Sequence, residues 1–133
     1  MKKQKKCRYS PFGQIKMRQK KDYLDNKEDM MRFIRPKNLD ENSFILDVRS
    51  PEEYQAEELK LPHIYKELAK LDPLAFIREN NLNREQTIHI ICASGARASQ
   101  AAEMFEKAGF SNVAVIIGGI VEAEYEGVEI IRH

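Results

Sequence analysis

Thr87-Ile88-His89-Ile90-Ile91-Cys92-Ala93-Ser94-Gly95-Ala96-Arg97-Ala98-Ser99 is the stretch on which the reading of this chain turns. An apolar, β-branched run ends at a cysteine, a few small residues follow, and a helical pattern begins at once. Over residues 95–108, Ala98, Ala101, Ala102, Phe105 and Ala108 share one helical face, and Gly109 stands where a left-handed helix stop belongs. A strand leading through a tight turn into a helix is the start of an alternating α/β arrangement.

The segments on either side agree. Phe44-Ile45-Leu46-Asp47-Val48 and Val113-Ala114-Val115-Ile116-Ile117 are also short and almost continuously apolar. Strands buried on both faces of a parallel sheet have that composition. Helix starts lie between them. Ser50-Pro51-Glu52-Glu53 reads as a capping box with proline at the first helical position, and Asp72-Pro73 opens a helix that closes near Asn80-Asn81. The pattern predicts an α/β fold, a central, mostly parallel sheet flanked by helices on both faces.

The 133 residues suffice for one modest core, and a hydrophobic fraction of 42% argues against wholesale disorder. Two cysteines are too few for a secreted disulfide scaffold, no stretch reaches the roughly 20 apolar residues of a membrane span, and no apolar run follows the basic N-terminus as in a secretory signal. A cytoplasmic protein without membrane contact is expected. Charge is unevenly divided. Residues 1–32 carry eleven Lys/Arg against four acids, a balance of +7, and the remainder has eleven against seventeen, a balance of −6. This predicts a basic, partly flexible N-terminal extension over 1–32 and a folded domain over 33–133. Ser10-Pro11-Phe12-Gly13 reads as a turn, and residues 22–34 as a short helix with Leu24, Met31 and Phe33 as its apolar points. The extension is read as a solvated tail. RNA contact is the weaker alternative, because charge without interleaved aromatics gives only unspecific attraction.

Cys92 carries the candidate chemistry. Small residues let consecutive backbone N–H groups of Ala93, Ser94, Gly95, Ala96 and Arg97 turn inward around the sulfur, and the positive end of the following helix adds to that field. Such surroundings, with the Arg97 guanidinium, favour a thiolate. The bland alternative is an inert cysteine at a strand end, since free cysteines are commonly buried. The small-residue loop tips the reading toward a reactive sulfur at the mouth of the amide ring, open to an approaching molecule. Asp47 and Arg49 leave a neighbouring strand at the same sheet edge, where ligands of parallel sheets collect. Asp47 is expected to bind backbone N–H groups at the strand exit. Arg49 has two readings of equal weight, a positive charge near the site or a structural ion pair with Asp47 or another acid. His63, His89 and His133 show no metal-ligand spacing, and Tyr54 and Phe76 read as packing residues. Cys7, among Lys5, Lys6 and Arg8, reads as an idle thiol, with a resolving partner for Cys92 as the lesser alternative.

Leu46-Asp47-Val48-Arg49-Ser50-Pro51-Glu52-Glu53-Tyr54 resembles the first signature of the rhodanese family of sulfurtransferases, and Cys92-Ala93-Ser94-Gly95-Ala96-Arg97-Ala98-Ser99 resembles its active-site loop. Ala108-Gly109-Phe110-Ser111-Asn112-Val113, Gly118-Gly119 and Gly127-Val128-Glu129-Ile130 are similar to the family's closing segments, in order. Together the similarities span about residues 33–133. The resemblance implies a rhodanese-like fold and a persulfide on Cys92. The thiolate takes the outer sulfur of a small donor such as thiosulfate, the loop amides hold that sulfur, Arg97 attracts the anionic donor, and a thiol or cyanide-like acceptor, or an acceptor protein, removes the sulfur. No cofactor or metal is implied. A binding or redox-sensing module with little turnover and an RNA-associated sulfur carrier are the alternatives. Cysteine-dependent phosphatases of the fold place five residues between Cys and Arg, whereas four stand here, which ranks phosphatase chemistry lower. Two stretches depart from the family pattern. Gln55–Pro62 replaces a glycine-containing segment and leaves a strand expected at Leu59–Leu61, and Ile120 follows the paired glycines in place of an aromatic residue.

Overall fold

The computed structural model describes residues 32–133. The basic segment with Cys7, the turn at Ser10–Gly13 and most of the helix expected over 22–34 lie outside the described residues. The three residues of that expected helix that are described, Arg32–Ile34, form a strand instead, β1. It pairs in parallel with β6 (Val113–Ile116), and this tertiary pairing decides the conformation of a segment too short to declare itself.

Among the described residues the principal sheet has five strands in the order β1-β6-β5-β2-β4, with β2 at Phe44–Asp47, β4 at Ile64–Tyr65 and β5 at Ile88–Ile91. Every pairing in it is parallel. Antiparallel β3 (Glu57–Leu59) and β7 (Ile130–Arg132) form a separate ribbon. The strand expected at Leu59–Leu61 therefore begins two residues earlier, and Ile64–Tyr65 forms the edge of the main sheet.

Helices α1 (Pro51–Ala56), α2 (Pro73–Glu79), α3 (Ala96–Lys107) and α4 (Gly119–Tyr125) complete the domain. Alternation along the strands divides the core between the sheet faces. Leu46, Ile88, Ile90, Cys92, Val113 and Val115 pack with Phe76 of α2 and Ala98, Ala101, Ala102 and Phe105 of α3. On the other face Ile45, Ile91 and Ile116 pack with Leu59 and with Ile120 and Ala123 of α4. The parity of β5 thus aims Cys92 at the face covered by α3. Among the described residues, no helix is long and apolar enough to cross a membrane.

Phe105 is fully buried and meets Phe76 and Phe110 edge to face, at centroid separations of 5.8 and 6.3 Å. Phe105→Ala is expected to cost about 3–5 kcal/mol. The loss should appear as a lower urea midpoint at unchanged slope.

Candidate functional site

Gly95 stands at the N-cap of α3 and offers no side chain to cap it. Its φ of +120° is a conformation that L side chains rarely adopt. The first amides of a helix lack intrahelical acceptors, and here a sulfur from the preceding strand supplies one. Cys92 Sγ accepts the Gly95 N–H at 2.9 Å and the Ala98 N–H at 3.4 Å. The amides of Ala93, Ser94, Ala96 and Arg97 do not donate to Sγ, so two amides face the sulfur directly where the sequence suggested a wider ring. Cys92 is only 1% exposed. The sulfur therefore lies on the floor of the loop and not at its mouth, drawn beneath the rim by the first turn of α3, while Ser94 and Ala96 stay exposed above it.

The other side of the loop is fixed by α4. Ile120 donates its N–H to the Cys92 carbonyl at 2.9 Å and Val121 donates to the Ala93 carbonyl at 3.4 Å. C=O and N–H point in opposite directions across a trans peptide, so these anchors turn the Ala93 and Ser94 amides away from α4. The approach is close enough to demand glycine at position 119. A Cβ there, at φ +62°, would stand 2.3 Å from the Cys92 carbonyl oxygen. Sequence reading matched Gly118-Gly119 to a pattern but gave no hint that these residues hold the cysteine loop.

Asp47 and Arg49 form a buried pair, with side-chain exposures of 0% and 2%. Arg49 donates from Nε to both carboxylate oxygens (3.1 and 3.0 Å) and from Nη2 to Oδ2 (2.9 Å). It also donates to the carbonyls of Glu57 at 2.7 Å and Glu53 at 3.4 Å. Asp47 Oδ1 further accepts the Arg49 N–H at 3.0 Å. The reading of Arg49 as substrate-binding charge is corrected here. Its guanidinium is enclosed and spent on Asp47 and on the end of α1.

Arg97 is also paired. Its Nη1 and Nη2 donate to Glu53 Oε1 and Oε2 at 2.7 and 3.0 Å, a parallel fork. Glu53 Oε1 also accepts the Ser50 N–H at 3.0 Å, and Ser50 Oγ accepts the Glu53 N–H at 3.3 Å, closing the capping box. The Arg97 hydrogen bonds are the main reason that the Glu53 carboxyl is held down at about 2. Sequence reading assigned Glu53 to the helix cap alone, and no local signal links it to a residue 44 positions away.

The tyrosine and the three histidines read from the sequence find partners within the fold. Tyr54 stacks on Tyr65 at 4.2 Å, and its hydroxyl meets Glu58 at 3.0 Å and His63 at 2.9 Å. Burial is the chief cause that pushes this phenol up to about 12. His63 and His133, apart in sequence, both reach Glu58. His89 Nδ1 donates to the Phe44 carbonyl at 3.0 Å, and burial lowers its pKa, so the ring is neutral at pH 7. Among the described residues no group of three or more His, Cys, Asp or Glu is arranged to hold a metal.

Arg49→Ala leaves Asp47 buried without its partner and is expected to cost about 3–5 kcal/mol, measured by urea unfolding. The Glu53 pair behaves differently. A depressed carboxylate contributes stability above its ordinary pKa of 4.5 and loses it as pH falls through about 2. Carbon-13 NMR of the Glu53 carboxyl should titrate near the lower value, and Arg97→Ala should return it toward the higher one.

The family model described as Rhodanese-like domain matches residues 34–125. A Bacillus subtilis (strain 168) protein named "Putative sulfur carrier protein YrkF" is 38% identical over 84 residues, which is 61% of this chain and 41% of that protein. A tRNA uridine(34) hydroxylase of Pelagibacter ubique is 29% identical over 133 residues, 87% of this chain and 42% of the relative. The chain thus spans about two-fifths of these curated relatives. Among solved structures, a rhodanese-related protein of Thermoplasma volcanium is 28% identical with a TM-score of 0.58, covering 75% of this chain and 97% of that one. The BH2092 protein of Bacillus halodurans shares the fold at a TM-score of 0.64 and 23% identity, covering 85% of each chain. A parallel α/β sheet, a cysteine loop ending on a helix and a family match over most of the described residues lead to one conclusion: the chain belongs to the rhodanese-like domain family.

Proposed function

We propose that the protein is a rhodanese-type sulfurtransferase in which Cys92 carries sulfane sulfur as a persulfide. The observation that supports this most is the pair of amides on its sulfur. Burial alone fits an inert core thiol, but the two N–H groups that converge on the sulfur, besides closing the helix start, form a cradle suited to negative charge. Membership of the rhodanese-like family and a relative named as a sulfur carrier support a sulfur-related function.

On this reading the Cys92 thiolate attacks the outer sulfur of a donor such as thiosulfate. The S–S bond of the donor breaks, sulfite leaves with the bonding pair, and Cys92 keeps one added sulfur. A thiol or cyanide-like acceptor then attacks that terminal sulfur and releases the Cys92 thiolate, in ping-pong order. Gly95 and Ala98 hydrogen-bond the sulfur that leaves and returns. The unbonded amides at the start of α3 suit the negative charge of the terminal sulfur. Four residues between Cys92 and Arg97 make a small ring, better matched to one sulfur atom than to a tetrahedral oxyanion.

Intact-protein mass spectrometry after incubation with thiosulfate should show a gain of about 32 Da, one sulfur, that maps to Cys92 and is removed by cyanide. Cys92→Ser should abolish the gain while near-ultraviolet circular dichroism stays native. A wild-type protein that gains no sulfur, or gains it equally after Cys92→Ser, overturns the proposal.

A further inference from the structure

Both arginines of the signature segments are engaged, with different consequences for a donor. Arg49 is enclosed. Arg97 and Glu53 are each about one-third exposed, so the surface beside the cysteine loop presents a guanidinium and a carboxylate together. Glu53 is held from two directions, by Arg97 and by the Ser50 N–H, so its charge is fixed there even before any donor arrives. Arg97 immediately precedes Ala98, whose amide donates to the Cys92 sulfur, so the pair stands at the first turn of α3 beside the cysteine loop.

We infer that Glu53 sets donor selectivity: by occupying the Arg97 guanidinium it makes the rim a neutral pair, so the protein takes sulfur from donors of low negative charge, of the hydropersulfide class (R–S–SH), in preference to the thiosulfate dianion. The inference rests on the Cys92 persulfide reading and refines it. In the favoured reaction the Cys92 thiolate attacks the terminal sulfur of R–S–SH, the donor S–S bond breaks, the thiolate R–S⁻ leaves with the electron pair, and the proton stays on the transferred sulfur. No oxidant or reductant is needed. Arg97 attracts a dianion only to the extent that Glu53 releases it, which replaces the role that sequence alone suggests for this arginine.

The test compares thiosulfate, charge −2, with the methanethiosulfonate anion, charge −1. Both give up the same kind of sulfane sulfur, with sulfite or methanesulfinate leaving. The full chain is assayed with cyanide as acceptor, as wild type and as E53Q, R97Q, the double variant and E52Q. Glutamine at the third helical position still supports a capping box, so E53Q removes charge and keeps the cap. E53Q should lower the thiosulfate KM by about three- to fivefold, the scale an exposed charge pair permits, with kcat little changed. The effect on methanethiosulfonate should be smaller, and both effects should shrink at high salt. R97Q, which leaves Glu53 unpaired, should raise the thiosulfate KM, and the double variant should return it close to the wild-type value. E52Q, a neighbouring acid outside the pair, should leave selectivity unchanged. Equal shifts for both donors, or a fall in kcat with KM unchanged, would overturn the selectivity role while leaving the persulfide reading intact. Failure of every variant, wild type included, to load Cys92 from either donor overturns both.

Discussion

Helix α3 begins at a glycine, which brings no side-chain acceptor to the first amides of the helix. The acceptor it has is a sulfur atom from the strand before it. This constraint organises the rest. The period of two along β5 places residues 88, 90 and 92 on the α3 face, so a slip of one residue would send the cysteine to the α4 face and leave the helix start bare. Because α4 takes the carbonyls of Cys92 and Ala93, the loop is clamped from both sides of the sheet edge. The requirement for glycine at 119 is the steric counterpart of that clamp.

The two arginines show how burial assigns different work to the same side chain. Separating a buried pair leaves an uncompensated charge and costs several kcal/mol, whereas an exposed pair is worth about 0–1 kcal/mol. Asp47–Arg49 is of the first kind and belongs to the framework. Glu53–Arg97 is of the second kind and can be altered without dismantling the domain. Helix α1 joins them. With six residues it is far too short to persist alone. Arg49 grips its carbonyls at Glu53 and at Glu57 just beyond its end, while the Glu53 carboxylate reaches across to α3.

Much of this fold is readable in the amino acids because its central strands are dense in β-branched residues and its helix starts carry explicit caps. The runs at 44–48, 87–92 and 113–117 and the helices starting after Ser50 and Asp72 and at about 95 all appear within a residue or two of their expected places. What could not be read depends on distant partners. Glu57-Glu58-Leu59 holds two acids and becomes a strand by pairing with 130–132. Arg32-Phe33-Ile34 resembles the end of a helix until the exposed edge of β6 takes it. For the site, the cysteine, its small-residue loop and the following helix were legible as one local unit. The status of Arg49 was not, since an ion pair and a ligand-binding cation call for the same residue and differ only in enclosure. The Glu53–Arg97 contact spans 44 positions and leaves no local trace.

The depth of the sulfur is the observation most at odds with a sulfur open at the loop mouth, and on the proposed chemistry it has a use. In a persulfide the transferable atom is the outer one, about 2 Å beyond Sγ along the new S–S bond. An acceptor that attacks the outer sulfur completes the transfer. One that attacks Sγ instead expels that sulfur and leaves Cys92 in a mixed disulfide, a dead end for turnover. With Cys92 1% exposed on the floor of the loop, the second attack is hindered, and transfer requires the added atom to extend toward the rim. The same depth restricts loading to donors whose outer sulfur is a single slender atom, a condition that thiosulfate and hydropersulfides both meet. Shape therefore admits both donor classes, and the charge at the rim, set by Glu53 on Arg97, is what separates them.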